Sequence, residues 1–443
     1  MDTTPFHLIL FALDIVILGG LFFWLRFRRP ASKRAVYQFE KSLYVPAVTV
    51  RRPSFLWDMS GVILFGGFGL FCFAVLSRFI YTNYAQENIY HFNTGQCIVE
   101  GIALHGTLFL TGVAALLYHY RRRVIAVFLA CCALCLAGLG FNALYWEPYH
   151  LKVEYYEIKT PKVKERLRIV FVADIQADRI GRHEINTLKK IMQQNADLII
   201  LGGDYIQTFQ GTREQHLPEK FRQMFLDYPL EASLGVYAIG GNIRGHADVR
   251  DADLFKDTSV EYISVSVIDD DLGANKELGP IDLVLLSLGD SCGGVGERGL
   301  TDSGNFIVMA GHYPTYAVDG YKSPRPGGRV LSGYRNAERA PDLMLAGHTH
   351  GGQVVIPFYG PLPSEITIPF WGTISLGGDE FVHQVPREMR SGFFEYSNGG
   401  RLLITRGSGM ERGWAPRVRF FCPAEISVID IVPSEEVEGS NSK

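Results

Sequence analysis

Seven side chains able to hold a cation or move a proton stand directly after apolar runs. Asp174 and Gln176 follow the run 167–173, Gly203-Asp204 follows 198–202, and Gly241-Asn242 follows 236–239. Gly311-His312 follows 306–310, and Gly347-His348-Thr349-His350 follows 343–345. One histidine after a strand is most often a surface residue. Five such deliveries of Asp, Gln, Asn and His in one chain are not expected by chance. Carboxylate, amide oxygen and imidazole together suit Mn, Fe or Zn. Two cations about 3.5–4 Å apart can bridge a phosphate, acidify a water and stabilise both the attacking and the leaving oxygen. A glycine beside each ligand lets the backbone turn sharply and lets a substrate approach.

The elements that must position these groups read as an alternation. The runs at 167–173, 198–202 and 236–239 are buried strands. Between them, 183–194 and 217–226 have helical spacing, with Leu188, Ile191 and Met192 on one side of the first. Further strand-like runs lie at 281–288, 306–310, 343–345, 402–405 and 425–431. Strands alternating with helices argue for an α/β layered domain of two sheets flanked by helices. In such sheets the carboxyl ends of the strands line the ligand crevice.

The ordered set Asp174-Ile175-Gln176, Gly203-Asp204, Gly241-Asn242-Ile243, His312 and Gly347-His348-Thr349-His350 resembles the calcineurin-like metallophosphoesterases. Their pattern is D-x-H, G-D, G-N-H, H, G-H-x-H. The longer pieces 201–205, 311–314 and 347–353, and the tail from Thr405-Arg406-Gly407 to Pro423-Ala424-Glu425-Ile426, look like the membrane-anchored branch of that family. The likeness spans about 167–431. It implies a four-layer α-β-β-α sandwich and two divalent ions, Mn preferred with Fe or Zn as alternatives. It also implies a hydrolase for phosphomonoesters or phosphodiesters. Asp174 and His350 would hold the first ion, Asp204 would bridge, and Asn242, His312 and His348 would hold the second. A bridging hydroxide would attack phosphorus in line, with Asp204 and Asn242 in the catalytic set.

Two positions depart from the family. Gln176 and Ile243 stand where it has histidines, the first a ligand and the second a contact to substrate phosphate. Gln176 can still bind through its amide oxygen, a neutral and harder donor that favours Mn or Mg over Zn or Fe. Ile243 offers no comparable contact, and His246, three residues on, is the candidate for the vacated position. Arg244 and Arg406 are candidates for bidentate phosphate contact. The alternative reading is a metal- or phosphate-binding sensor without fast turnover.

The N-terminal part differs in kind. Apolar stretches near 6–25, 57–80, 98–119 and 124–145 each reach the roughly 20 residues needed to span a bilayer. The connection after the first carries Arg26, Arg28, Arg29, Lys33, Arg34, Lys41, Arg51 and Arg52 against Glu40 alone. The second connection, 81–96, has no Lys or Arg, and the third is Arg121-Arg122-Arg123. Basic loops stay cytoplasmic. The sequence therefore predicts a multi-pass integral membrane region over 1–146, a charged connector over 147–166, a domain over 167–432 on the non-cytoplasmic side, and a disordered tail over 433–443. Anchoring points to substrates that include lipid-linked phosphates. Asp14, Glu100 and His105 are ionisable groups inside these spans, and Asp14 is expected to bond across helices.

A net charge of -3 gives no electrostatic case for a nucleic-acid partner. Asp269-Asp270-Asp271 lacks the spacing of a calcium loop. Cys131, Cys132 and Cys135 sit among Ala, Leu and Gly and read as helix packing. Cys292 and Cys422 could pair in an oxidising compartment.

Overall fold

The computed structural model describes residues 4–27, 99–207, 216–242, 251–263, 274–288, 300, 303–318, 334–362, 365–368, 372–375, 385–411 and 417–434. The chain divides into two compact units, Met1–Phe141 and Asn142–Lys443.

In the first unit, helix α1 (Thr4–Phe27) precedes α2 (Thr107–His119) and α3 (Arg123–Phe141). Two continuous helical stretches, Val99–His119 and Arg123–Tyr149, are long and apolar enough to cross a membrane, and Leu10–Phe23 is a shorter apolar stretch. Four spans were expected. Two qualify among the described residues, and 57–80 lies outside them. Leu21, Val113, Leu117 and Ala126 form the buried core of this unit. Gly112 lets α1 approach α2, and Gly140 lets the turn at 102–106 approach α3, because a Cβ there would come within 2.7 Å of Leu18 and 2.6 Å of Ala103 respectively. Asp14 Oδ2 lies 2.8 Å from His105 Nδ1, the cross-helix bond expected for Asp14. Cys131 and Cys135 are exposed on α3, not packed as expected.

The second unit is built on two six-stranded sheets. The first contains β1 (Lys152–Thr160), β2 (Leu167–Val172), β3 (Leu198–Leu201), β4 (Val236–Ala238) and β5 (Glu261–Tyr262). The second contains β6 (Ala274–Leu278), β7 (Ile281–Leu285), β8 (Phe306–Ala310) and β9 (Leu343–Ala346). Two small hairpins follow, β10 (Val355–Ile356) with β11 (Gly360–Pro361) and β12 (Glu365–Ile368) with β13 (Gly372–Ser375). Strands β14 (Gly392–Glu395) and β15 (Arg401–Ile404) complete the second sheet, and β16 (Glu425–Pro433) returns to the first. The sheet orders are β1-β16-β2-β3-β4-β5 and β14-β15-β9-β8-β7-β6.

The stretch 147–166, read from sequence as a connector, contributes β1, which pairs in parallel with β16 over nine residues. Its charges misled the reading. As an edge strand it keeps Glu157 and Lys159 in water while Ile158 is buried. Pro433 ends β16, so the tail begins later than 433, and 435–443 lie outside the described residues.

Alternation along the strands fills two cores at once. Ile169, Phe171, Leu198 and Ile200 point between the sheets to meet Leu283, Phe306, Val308, Leu343 and Leu345. Their neighbours Val170, Val172, Ile199 and Leu201 face α4 (Arg182–Met192) and α5 (Leu217–Asp227), which supply Leu188, Ile191, Phe221 and Phe225. The outer face of the second sheet is covered differently. Met309, Met344 and Ile404 pack on Tyr316, Tyr334 and Met389, which lie in 3-10 turns. The fourth layer expected as helix is made of such turns among the described residues.

Candidate metal centre

Strands β2, β3 and β4 run parallel in the first sheet, and β8 and β9 run parallel in the second. Their carboxyl ends open on one edge. The loops stay zipped past the strands: Asp174 N–H donates to Gly203 O (3.0 Å), Gln176 N–H to Asp204 O (2.8 Å) and Gly347 N–H to His312 O (3.1 Å). Asp174, Gln176, Asp204, His348, His350 and Gln353 all have φ between 41° and 69°. Left-handed backbone at non-glycine residues costs of order 1–3 kcal/mol each and collects at functional sites. Gly241 must be glycine, since a Cβ would stand 2.1 Å from Asp204 Oδ1.

Among the described residues, Asp204, His312 and His348 bring ligand atoms within 4.8 Å of one another, and all three are buried. Asn242 completes the group, with Oδ1 2.7 Å from His312 Nε2 and 3.1 Å from His348 Nδ1. His312 Nδ1 lies 2.8 Å from the Gly202 carbonyl, which can only accept, so Nδ1 carries the hydrogen. In the neutral ring Nε2 is then a lone pair, yet it faces Asn242 Oδ1 and, at 3.3 Å, Asp204 Oδ2. Acceptors that close on one another need a positive charge between them. Burial alone would lower the His312 pKa, but the Asp204 carboxylate outweighs it and raises it to about 9. The donor chemistry at this point fits a divalent cation.

The other half is looser. Asp174 is fully buried, and both its oxygens accept from His348 N–H, at 3.1 and 2.9 Å. Burial pushes its pKa up to about 7. Burial, reinforced by the Arg419 charge, holds His350 well below the ordinary histidine range, so its ring is neutral. Gln176, expected to bind through its amide oxygen, directs its nitrogen to Asp204 Oδ2 (3.4 Å) and Glu411 Oε2 (2.8 Å). Gln176 Oε1 and His350 Nδ1 are buried with no hydrogen-bond partner.

Arg406, expected at the substrate, pairs with Glu154 (2.7 Å) and Glu425 (2.8 Å), across the ends of β1 and β16. Two carboxylates already match its charge. Ile243, Arg244, His246, Cys292 and Asp269-Asp270-Asp271 lie outside the described residues. Cys422 is a free thiol that donates to His350 O at 3.3 Å.

The sequence reading missed Glu411, Gln207, Gln353 and Arg419. Arg419 is wholly buried and donates to the carbonyls of Arg406, Gly407, Gly409 and Cys422. It thereby fixes the loop after β15, whose Ser408 and Gly409 N–H groups bond Ala173 O and Asp174 O. Gln353 was legible only as part of the motif 347–353, while Glu411 carries no periodic signal.

The family model for calcineurin-like phosphoesterase matches residues 167–352. An uncharacterized metallophosphoesterase of Campylobacter jejuni is 24% identical over 295 residues, 63% of this chain and 63% of the relative, so the chain spans under two thirds of that protein's length. One of Bacillus subtilis is 25% identical over 306 residues, 67% of this chain and 91% of the relative. A solved dimetal phosphatase from Danio rerio is 12% identical, with 55% of this chain and 88% of that chain covered at a TM-score of 0.31. Both relatives carry the metallophosphoesterase name, and the matched segment holds the converging donors. Residues 167–352 are thus similar to calcineurin-like metallophosphoesterase domains.

Proposed function

We propose that the chain is a membrane-anchored, metal-dependent phosphoesterase that hydrolyses a phosphomonoester or phosphodiester, lipid-linked phosphates among them. The observation that carries this reading is the closure of Asp204, Asn242, His312 and His348 on one point, with Asn242 Oδ1 2.7 Å and Asp204 Oδ2 3.3 Å from His312 Nε2. These residues would hold two divalent ions, manganese by preference, which would supply an acidified water and offset phosphate charge. Asp204 would serve both ions, Asn242, His312 and His348 would hold one, and Asp174 and His350 the other. His348 N–H fixes the Asp174 carboxylate, and Gly202 O fixes the His312 tautomer. A partner hydrogen bond of this kind keeps a ligand ring oriented and basic.

The anchoring part of the proposal rests on the two long apolar helices and the basic loops around them. It includes four spans over 1–146, a domain on the non-cytoplasmic face, and His246 and Arg244 at the substrate. The experiment is to purify the full chain in detergent and measure bound manganese together with hydrolysis of an aryl phosphodiester, with and without added manganese. Two ions and manganese-dependent turnover are expected. Tight metal binding without hydrolysis across a broad ester panel would select the sensor reading instead. A C-terminal reporter fusion that is active in the cytoplasm would overturn the orientation.

A further inference from the structure

We propose that Glu411 is a ligand of the first cation, supplying the donor that Gln176 does not, with Gln176 and Gln207 acting as the residues that position it. The proposal rests on the phosphoesterase reading above. Glu411 lies beyond the segment matched to the family and outside the family's own pattern of ligands as it appears in this sequence.

Four observations converge on it. Glu411 is buried, with 8% of the residue exposed. Gln207 Nε2 donates to Oε1 at 2.5 Å and Gln176 Nε2 to Oε2 at 2.8 Å, so two amides grip it from separate loops. Its backbone N–H donates to Gln353 Oε1 at 2.8 Å, which ties it to the strained turn that carries His348 and His350. Finally, Glu411 Oε2 stands 3.9 Å from His350 Nε2.

That last distance is too long for a hydrogen bond. It is in the range of two donors on one ion, since bonds of about 2.1 Å put neighbouring ligand atoms about 3.0 Å apart and opposite ones about 4.2 Å apart. Gln176 and His350 each also carry an unpartnered buried atom. Gln176 Oε1 and His350 Nδ1 are buried lone-pair groups with no partner, at residues 4% and 5% exposed. Buried polar atoms left unpaired cost about 1–3 kcal/mol each. A cation between Glu411 Oε2 and His350 Nε2 would engage both while Gln176 and Gln207 keep their hold on the carboxylate. The histidine of the family pattern is therefore replaced by a pair of residues, one neutral donor of hydrogen bonds and one anion. An added carboxylate makes the site harder, which favours manganese or magnesium over zinc.

The test uses the full chain in detergent and manganese alone. Bound ions are counted by elemental analysis after gel filtration, and affinities come from the electron paramagnetic resonance of free manganese. Wild type should retain two ions. Glu411→Gln should retain one, with the other bound about 100-fold more weakly, the upper end of what a lost supporting residue costs. The double variant Glu411→Gln/Gln176→His should regain the second ion, an outcome that a merely structural role for Glu411 does not produce. Should Glu411→Gln not fold, Glu411→Asp withdraws the carboxylate by one methylene, and unchanged affinity there counts against the proposal. Two ions of unaltered affinity in Glu411→Gln, or one and the same ion in both wild type and variant, would overturn the proposal and leave the phosphoesterase reading standing. A wild-type chain that binds no manganese would instead overturn the phosphoesterase reading itself.

Discussion

The two halves of the centre are built from the same kinds of residue and reach different degrees of assembly. Around Asp204, the donors from β3, β4, β8 and β9 close on one point. Around Gln176, the donors stand apart, two buried atoms lack partners, and amide groups fill the contacts. The difference follows from what carries each half. The first group sits at the ends of central strands locked between two cores. The second depends on Glu411 and Gln353, which lie in loops after β15 and β9. A ligand on a short loop from a buried strand is preorganised by packing. One on a longer excursion needs hydrogen bonds to hold it.

The largest expected effect breaks both halves together. Asp204→Ala removes a carboxylate that faces Gln176 as well as His312. It should abolish binding of both ions and lower kcat/KM by at least about 10³-fold, or about 4 kcal/mol. Retention of either ion at wild-type affinity would show that the two halves do not share this group.

Arg419 sharpens the comparison next, because it braces the less assembled half. Its guanidinium is buried beneath the loop after β15 and satisfies four carbonyls. Arg419→Met leaves those carbonyls without donors, a loss of about 3 kcal/mol. Thermal unfolding of the domain should fall by about 6–12 °C. Manganese affinity should drop more at the Gln176 side than at the Asp204 side. An unchanged Tm would mean that the loop is held by the zipped backbone alone.

A direct contrast comes from one variant in each half. His348→Ala should cost about 100-fold in affinity for its ion, and Gln176→Ala about tenfold, taking the upper and lower ends for ligands and for the residues that orient them. Manganese titration distinguishes them. Equal losses would make Gln176 a ligand in its own right and remove the asymmetry.

The sequence revealed the tightly packed half more fully than the loose one, for a physical reason. β2, β3, β8 and β9 are continuous apolar runs, and a buried strand that ends in Gly plus a ligand announces both element and site. β1 was hidden because an edge strand keeps one face in water, and Lys152, Glu154, Glu157 and Lys159 read as a linker. Glu411 was hidden because its role depends on Gln176, Gln207 and Gln353, up to 235 residues away along the chain. The helical fourth layer was expected from family likeness, and the apolar outer face of β8 and β9 is covered by aromatic side chains from 3-10 turns instead.

Arg406 gives the smallest effect and tests where the centre ends. Read from sequence it was a phosphate contact, but its guanidinium joins Glu154 on β1 to Glu425 on β16, with Glu425 almost fully buried. Its work is then to seat the first and last strands of the domain against each other. Arg406→Gln should reduce stability by about 1 kcal/mol, as expected of a pair that is part solvated. KM for an aryl phosphodiester should stay within about twofold, because uniform substrate binding would be untouched. A KM raised by about tenfold with Tm unchanged would return Arg406 to the substrate and extend the centre beyond the ends of the five ligand-bearing strands.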